Sequence, residues 1–164
     1  MTIQDTHRTS RNYAVAQTLL LFAFAGAFFL DFGPRLFTAA TPGTVGAVLC
    51  VVGLLLMLLG FASIGGAIQI APEPRVGGEL VTRGVYRRLR HPIYTAIVIL
   101  VAGLFLRKPS VPMAIMAPVV IVFLAVKTQF EETLLLARYP EYATYRKRTW
   151  GIIPWLSRSP RDSR

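Results

Sequence analysis

Apolar and polar positions alternate along this chain in long blocks. Four stretches, 13–30, 45–70, 93–106 and 111–126, are dominated by apolar residues, and the first two contain no formally charged residue. Their apolar residues cover every side of a helix instead of one stripe. A helix of that kind is buried in a large core or in lipid. Crossing a bilayer takes roughly 20 predominantly apolar residues. The first two stretches reach that length directly, and the last two reach it when a flanking turn is added. The pattern predicts an all-α polytopic membrane protein, one domain over 1–164, with about four transmembrane helices at about 13–30, 45–70, 92–106 and 111–138. A soluble fold is the competing reading, but so small a domain could not wrap several all-apolar helices in its own polar shell. A signal peptide is the competing reading of the first stretch. The stretch is long for such a segment, and Asp31 and Arg35 stand before the small residues Ala39 and Ala40.

The breaks between stretches define the connections. Residues 1–12 are polar and are expected to be poorly ordered. The segment 31–44 holds Pro34, Pro42 and Gly43 and reads as a turn region. Gly60, Gly65 and Gly66 near the end of the second stretch either permit close helix contact in lipid or mark where the helix loosens as it leaves the membrane. Residues 71–78 carry Pro72, Pro74, Gly77 and Gly78 and cannot form a regular helix. Pro92 suits the first turn of the third helix. Residues 107–110, with Pro109, form a tight reversal, so helices three and four make a short antiparallel hairpin. The fourth helix runs on past its apolar part to Arg138, and Pro140 ends it. An amphipathic cytosolic piece follows over 141–149, with Tyr142 and Tyr145 among basic residues. Trp150 and Trp155 then suit a membrane interface.

Composition agrees with this layout. Charged residues make up 16% of the chain, against about 25% in soluble domains. The net charge of +10 raises the question of nucleic acid. The distribution of the charge answers it. Fifteen basic residues fall in the N-terminus, the second loop and the C-terminal tail, and three fall in the other two loops. That asymmetry predicts both termini in the cytoplasm and a multi-pass protein of the cell membrane. It also predicts attraction to anionic lipid headgroups, with no nucleic-acid partner. Cys50, the single cysteine, lies inside an apolar stretch. With one cysteine and two histidines no metal site is expected.

Two groups of residues stand out against this background. The segment 80–94 reads Leu-Val-Thr-Arg-Gly-Val-Tyr-Arg-Arg-Leu-Arg-His-Pro-Ile-Tyr. Its Arg87, Arg88 and Arg90 and its rings could form a collar for headgroups at the start of a membrane helix. The second group is Lys127, Glu131 and Glu132. Lys127 and Glu131 are four apart and share one helix face, where a surface pair contributes only a few tenths of a kcal/mol. These charges sit where an apolar helix leaves the membrane, and ionisable groups there face protein or a cavity.

The first group, with Gly84, Tyr86 and Arg90-His91-Pro92-x-Tyr94, resembles the signature of the isoprenylcysteine carboxyl methyltransferase family, which is related to the phospholipid methyltransferases. Glu131-Glu132-x-x-Leu135, Tyr139-Pro140, Tyr142-x-x-Tyr145-Arg146-Lys147-Arg148 and Pro154 resemble that family's C-terminal block. The likeness covers about 78–155. It implies S-adenosyl-L-methionine as methyl donor, held by segments of about 78–94 and 127–155 at the cytosolic face. It implies that Leu80 and Val81 line an adenosine pocket. It also implies that Tyr86, His91, Pro92, Ile93 and Tyr94 lie against the donor and that Glu131 holds one of its polar groups. His91 and Lys127 are the candidate catalytic residues. Lys127 stands where the family has an arginine associated with substrate, and a point charge there is not equivalent to a planar fork.

The implied reaction is methyl transfer to a lipophilic or lipidated membrane substrate, most like carboxyl O-methylation of an isoprenylcysteine-type or other lipophilic acid. The alternatives are N-methylation of a phospholipid or amine, and a non-catalytic lipid-binding membrane protein. A nicotinamide-dependent reductase of related fold would be a much longer chain.

Overall fold

The computed structural model describes residues 3–30, 32–38, 40–64 and 80–152. The described residues form five α-helices and no strand. These are α1 (Ile3–Leu30), α2 (Ala40–Ile64), α3 (Pro92–Arg107), α4 (Val111–Arg138) and α5 (Tyr142–Arg148), with a short 3-10 turn at Gly84–Arg87 before α3. The expected all-α membrane class is borne out. Helices satisfy their own backbone groups, which lipid cannot do for them.

Three helices are long and apolar enough to cross a membrane, over Gln4–Leu30, Pro42–Ile64 and Val111–Arg138. The fourth expected span is α3, an apolar helix of sixteen residues. At 1.5 Å per residue it is about 24 Å long, short of a hydrocarbon core of ~30 Å. It is the central helix. Thr95, Ala96, Ile97, Val101 and Gly103 are all buried, so α3 is clad by protein more than by lipid.

The starts of α1 and α2 shift, α2 beginning at Ala40 inside the 31–44 segment read as a turn region. Residues 3–12, expected to be poorly ordered, extend α1 by almost three turns, and Ser10 is buried. Polar side chains do not prevent a helix when one face of it packs on a neighbour. The second helix was expected to run to residue 70, and α2 is described to Ile64. Residues 65–70, Gly78 and Trp155 lie outside the described residues. The fourth helix runs unbroken from Val111 to Arg138 as expected, through Pro118. Its end is capped by the Tyr139 amide donating to Leu135 O at 2.9 Å, and Pro140 prevents continuation.

The helices pack as antiparallel neighbours in the order α2, α3, α4, α1. Between α2 and α3 the contact is made by glycines one heptad apart. A Cβ on Gly46 would lie 2.5 Å from Gly103 O, and one on Gly53 would lie 2.8 Å from Leu100. A Cβ on Gly60 would meet Ile93 at 3.0 Å. A seven-residue repeat keeps one face toward the partner along a left-handed crossing, and absent side chains let the backbones approach. Of the glycines expected to make close contact, Gly60 does so. Gly46 and Gly53 carry the rest of the seam.

Between α3, α4 and α1 the packing uses side chains. Phe24, Ala27, Ile97, Val101, Met113, Ala117, Val120 and Leu124 form one buried cluster. At the end away from the site, the Leu36 amide donates to Pro109 O at 2.7 Å and the Val111 amide to Pro34 O at 3.1 Å. Lys108 Nζ donates to Phe28 O at 3.1 Å and lies over the Phe28 ring. These contacts tie the α1–α2 connection to the α3–α4 reversal. The hairpin therefore returns the chain to the face it left, which brings the two conspicuous groups of residues together.

Candidate active site

The site lies where α3 begins, α4 leaves the apolar zone and α5 folds back. Its approach is set by Gly84, whose φ of +58° is a left-handed conformation. A Cβ there would meet Ser63 Oγ at 2.2 Å. Glycine is needed for both the angle and the space. The 3-10 turn thereby docks on the end of α2, with Arg83 Nε donating to Ser63 O at 3.2 Å. Five residues on, Pro92 starts α3 and His91 stands just outside it.

Glu131 is the hub. Tyr94 Oη donates to its Oε1 at 2.5 Å, and Lys127 Nζ lies 3.7 Å from the same oxygen. His91 Nδ1 stands 3.6 Å from Oε2, beyond hydrogen-bonding distance. The His91 and Tyr94 rings stack within 3° of parallel, as residues three apart on one helix edge can. Lys127 is 0% exposed. Its ammonium also lies over the Tyr94 ring at 5.1 Å and donates to Gln17 Oε1 of α1. The Lys127–Glu131 pair expected from i,i+4 spacing is formed. It is enclosed, unlike a surface pair.

Glu132 looks the other way. Successive helical residues are 100° apart, so the two carboxylates diverge, and the His91 ring stands between them. Arg90 Nε reaches Glu132 Oε1 at 2.8 Å, and Arg146 Nε reaches Oε2 at 3.0 Å. His91 Nε2 stands 3.4 Å from Oε1. The other arm of Arg90 donates from Nη1 to Arg146 O at 2.8 Å and to Thr149 O. Arg90 therefore binds α4 and the C-terminal segment to the start of α3. The segment is stitched further by an Arg90 amide bond to Trp150 O at 2.8 Å, a Trp150 amide bond to Arg88 O at 2.9 Å, and Thr95 Oγ1 donating to Ile152 O at 2.8 Å.

The placement of the expected site residues is uneven. His91, Tyr94, Lys127 and Glu131 converge. Pro92 is buried at the helix start, and Ile93 fills the space beside Gly60. Tyr86 accepts at its carbonyl from Tyr145 Oη at 2.7 Å. Burial, then Tyr145 and then Glu131, push its phenol above the ordinary range, so it stays a neutral donor. Burial likewise raises Tyr145 to about 12 despite the nearby Arg90. Leu80 and Val81 are half-buried ahead of the turn, and the contacts that gather the other residues do not involve them.

The collar reading is corrected at one residue. Arg87 and Arg88 are exposed, as a headgroup collar requires, but Arg90 is only 7% exposed and is engaged inside the protein. Sequence reasoning singled out Glu132 and quoted Arg146 in a motif but gave neither a role, and it missed Gln17 altogether. The signal for Glu132 was its adjacency to Glu131, because a second carboxylate on another face requires its own cation. Gln17 had only its isolation, an amide inside an apolar stretch.

Fold and site together define a polytopic helical membrane protein with an enclosed ionic site at one end of its bundle. The family model for phospholipid methyltransferases matches residues 42–142, and the chain belongs to that family. The kinship read from the two motifs is thereby borne out. The structure of a eukaryotic intramembrane Ras methyltransferase, an isoprenylcysteine carboxyl methyltransferase, is similar over 96% of this chain, with a TM-score of 0.63 and 18% identity. At that identity the likeness is one of fold. The chain spans about half the length of that protein, 55% of it. None of the curated proteins compared matches the chain.

Proposed function

We propose that the protein is an S-adenosylmethionine-dependent methyltransferase of a lipophilic membrane substrate, and that the acceptor is a carboxylate. The observation that carries this reading is Glu131, an enclosed carboxylate shared by Tyr94, Lys127 and His91 in a chain of the phospholipid methyltransferase family. The residues fit the donor. Glu131 Oε2 retains acceptor capacity for a hydroxyl or an ammonium, and a charged acceptor makes the stronger bond. The parallel, stacked His91 and Tyr94 rings, with Tyr86, offer aromatic faces to an adenine or to a cation. Leu80, Val81, Pro92 and Ile93 supply apolar lining.

When bound, S-adenosylmethionine supplies an electrophilic methyl carbon, and the electrons of its S–C bond stay on sulfur. The protein's work is alignment and exclusion of water. An ionised carboxylate oxygen forms the new C–O bond and no proton moves. Lys127 supplies the positive charge that draws such an oxygen. An amine acceptor would instead have to lose a proton to a base. His91 is the histidine at hand, but both its ring nitrogens look toward carboxylates. That geometry suits His91 to bridging Glu131 and Glu132 more than to taking a proton from substrate, and it favours the carboxylate reading over the amine alternative.

The termini are proposed to lie in the cytoplasm of a cell-membrane protein, on the strength of the basic asymmetry. The exposed Arg87 and Arg88 are proposed to meet anionic headgroups. Isothermal titration of the detergent-solubilised protein with S-adenosylhomocysteine tests the function. Saturable binding, weakened by His91→Ala, is expected. No binding to well-folded protein would end the proposal.

A further inference from the structure

Gln17 is out of place in α1. It is an amide in an otherwise apolar stretch, and it sits outside the family-matched residues 42–142. Yet its Oε1 takes a hydrogen bond from the Lys127 ammonium, the cation of the site. The seam around it is closed. Tyr13, one turn earlier, stacks on Phe130 with ring centroids 5.1 Å apart and tilts against Phe123 at 6.0 Å. Lys127 is fully enclosed. A group that approaches this ammonium between α1 and α4 therefore meets Gln17 Oε1 on its way.

We infer that Gln17 is a specificity-determining residue that occupies the acceptor's oxygen position on Lys127, so that only an acidic headgroup displaces it. This rests on the proposed methyl transfer to a carboxylate. An amide oxygen is a neutral acceptor. A carboxylate oxygen makes a charge-assisted bond, roughly twice as strong, and wins the exchange. A neutral or cationic headgroup offers the ammonium less than the amide does and leaves Gln17 in place. The resident amide thus rejects the wrong headgroup by competition, which is specificity built from a difference between two affinities. Gln17 also keeps the ammonium hydrogen-bonded before the acceptor arrives, as a buried charge requires.

The test uses the full-length protein in detergent micelles, with a farnesylated N-acetylcysteine as carboxylate acceptor and phosphatidylethanolamine as amine acceptor. Gln17→Leu and the shorter Gln17→Asn remove the competitor. Each should lower KM for the carboxylate several-fold with kcat unchanged. Gln17→Glu keeps the reach and makes the competitor anionic. It should raise that KM by about tenfold or more, again with kcat unchanged. S-adenosylhomocysteine affinity should be the same in all four proteins, which shows that each variant is folded and its donor site intact. Opposite movements of KM support the inference. Equal losses in all variants, or a KM that does not move, would overturn it. If the unmodified protein binds S-adenosylhomocysteine and methylates the amine but not the carboxylate, the inference falls with the acceptor assignment while the methyltransferase reading stands.

Discussion

The two faces of α3 are packed by opposite means. Toward α2 it meets Gly46, Gly53 and Gly60, and the seam holds because backbones approach with nothing between them. Toward α4, at the end that holds the site, it meets Lys127, Glu131 and Glu132, and the contact holds because each charge has a partner. The first seam is dry, repetitive and indifferent to chemistry. The second costs desolvation at every ion, and a protein with stability as its only requirement could have filled it with leucine. The difference separates what positions the helix from what the proposed chemistry would use. Sterics position α3, and the ionic seam uses that position.

The largest effect is expected at Arg90. Arg90→Ala leaves Glu132 buried without its nearest cation and removes the side-chain hydrogen bonds to Arg146 O and Thr149 O that help hold the C-terminal segment. Breaking a buried pair in this way costs about 3–5 kcal/mol. Denaturant unfolding in micelles should show a loss of that size, together with loss of S-adenosylhomocysteine binding. Arg146 touches the same carboxylate, but its side chain is 50% exposed, and Arg146→Ala should cost no more than ~1 kcal/mol. Equal costs for the two would mean that Glu132 is not organised by Arg90.

A smaller effect separates function from fold. Glu131→Gln should weaken S-adenosylhomocysteine binding by about 1.5–3 kcal/mol, the value of a hydrogen bond to a charged group. Unfolding should change much less, and titration beside a melting curve reads both. On the glycine seam the pattern should invert. Gly46→Leu forces a side chain against Gly103 O at the end remote from the site. It should destabilise by about 1–3 kcal/mol and leave ligand affinity unchanged in the same titration. The smallest effect is expected for Tyr94→Phe, which removes one hydrogen bond to Glu131. It should cost about 0.5–1.5 kcal/mol of binding. A loss as large as that of Glu131→Gln would make the tyrosine, and not the carboxylate, the main contact.

Much of this molecule was legible before its structure. Charge-free runs of about 20 residues are long and apolar enough to cross a membrane, and the bilayer's demand for internal hydrogen bonding makes them helices. Pro92, Pro109 and Pro140 marked starts, turns and stops because proline acts locally. Lys127 and Glu131 could be paired from spacing, since a single helix fixes which of its residues share a face. The two blocks of the site could be joined because a tight hairpin has one geometry.

What escaped the sequence was everything that depends on direction across helices. Arg87, Arg88 and Arg90 look alike in a row of letters, and only the turn before α3 sends two outward and one inward. The polar residues 3–12 looked like a tail because α4, the helix on which α1 packs, lies about a hundred positions further along the chain. Periodicity cannot name Gln17 as the partner of Lys127, since helix order and rotation come from packing. The sequence by itself determined that this is a helical membrane protein with a charged, aromatic site at one face. Only the tertiary structure decided which charges face one another there. Hydrophobic pattern is a property of one helix, whereas an ion's partner is a property of the space between helices.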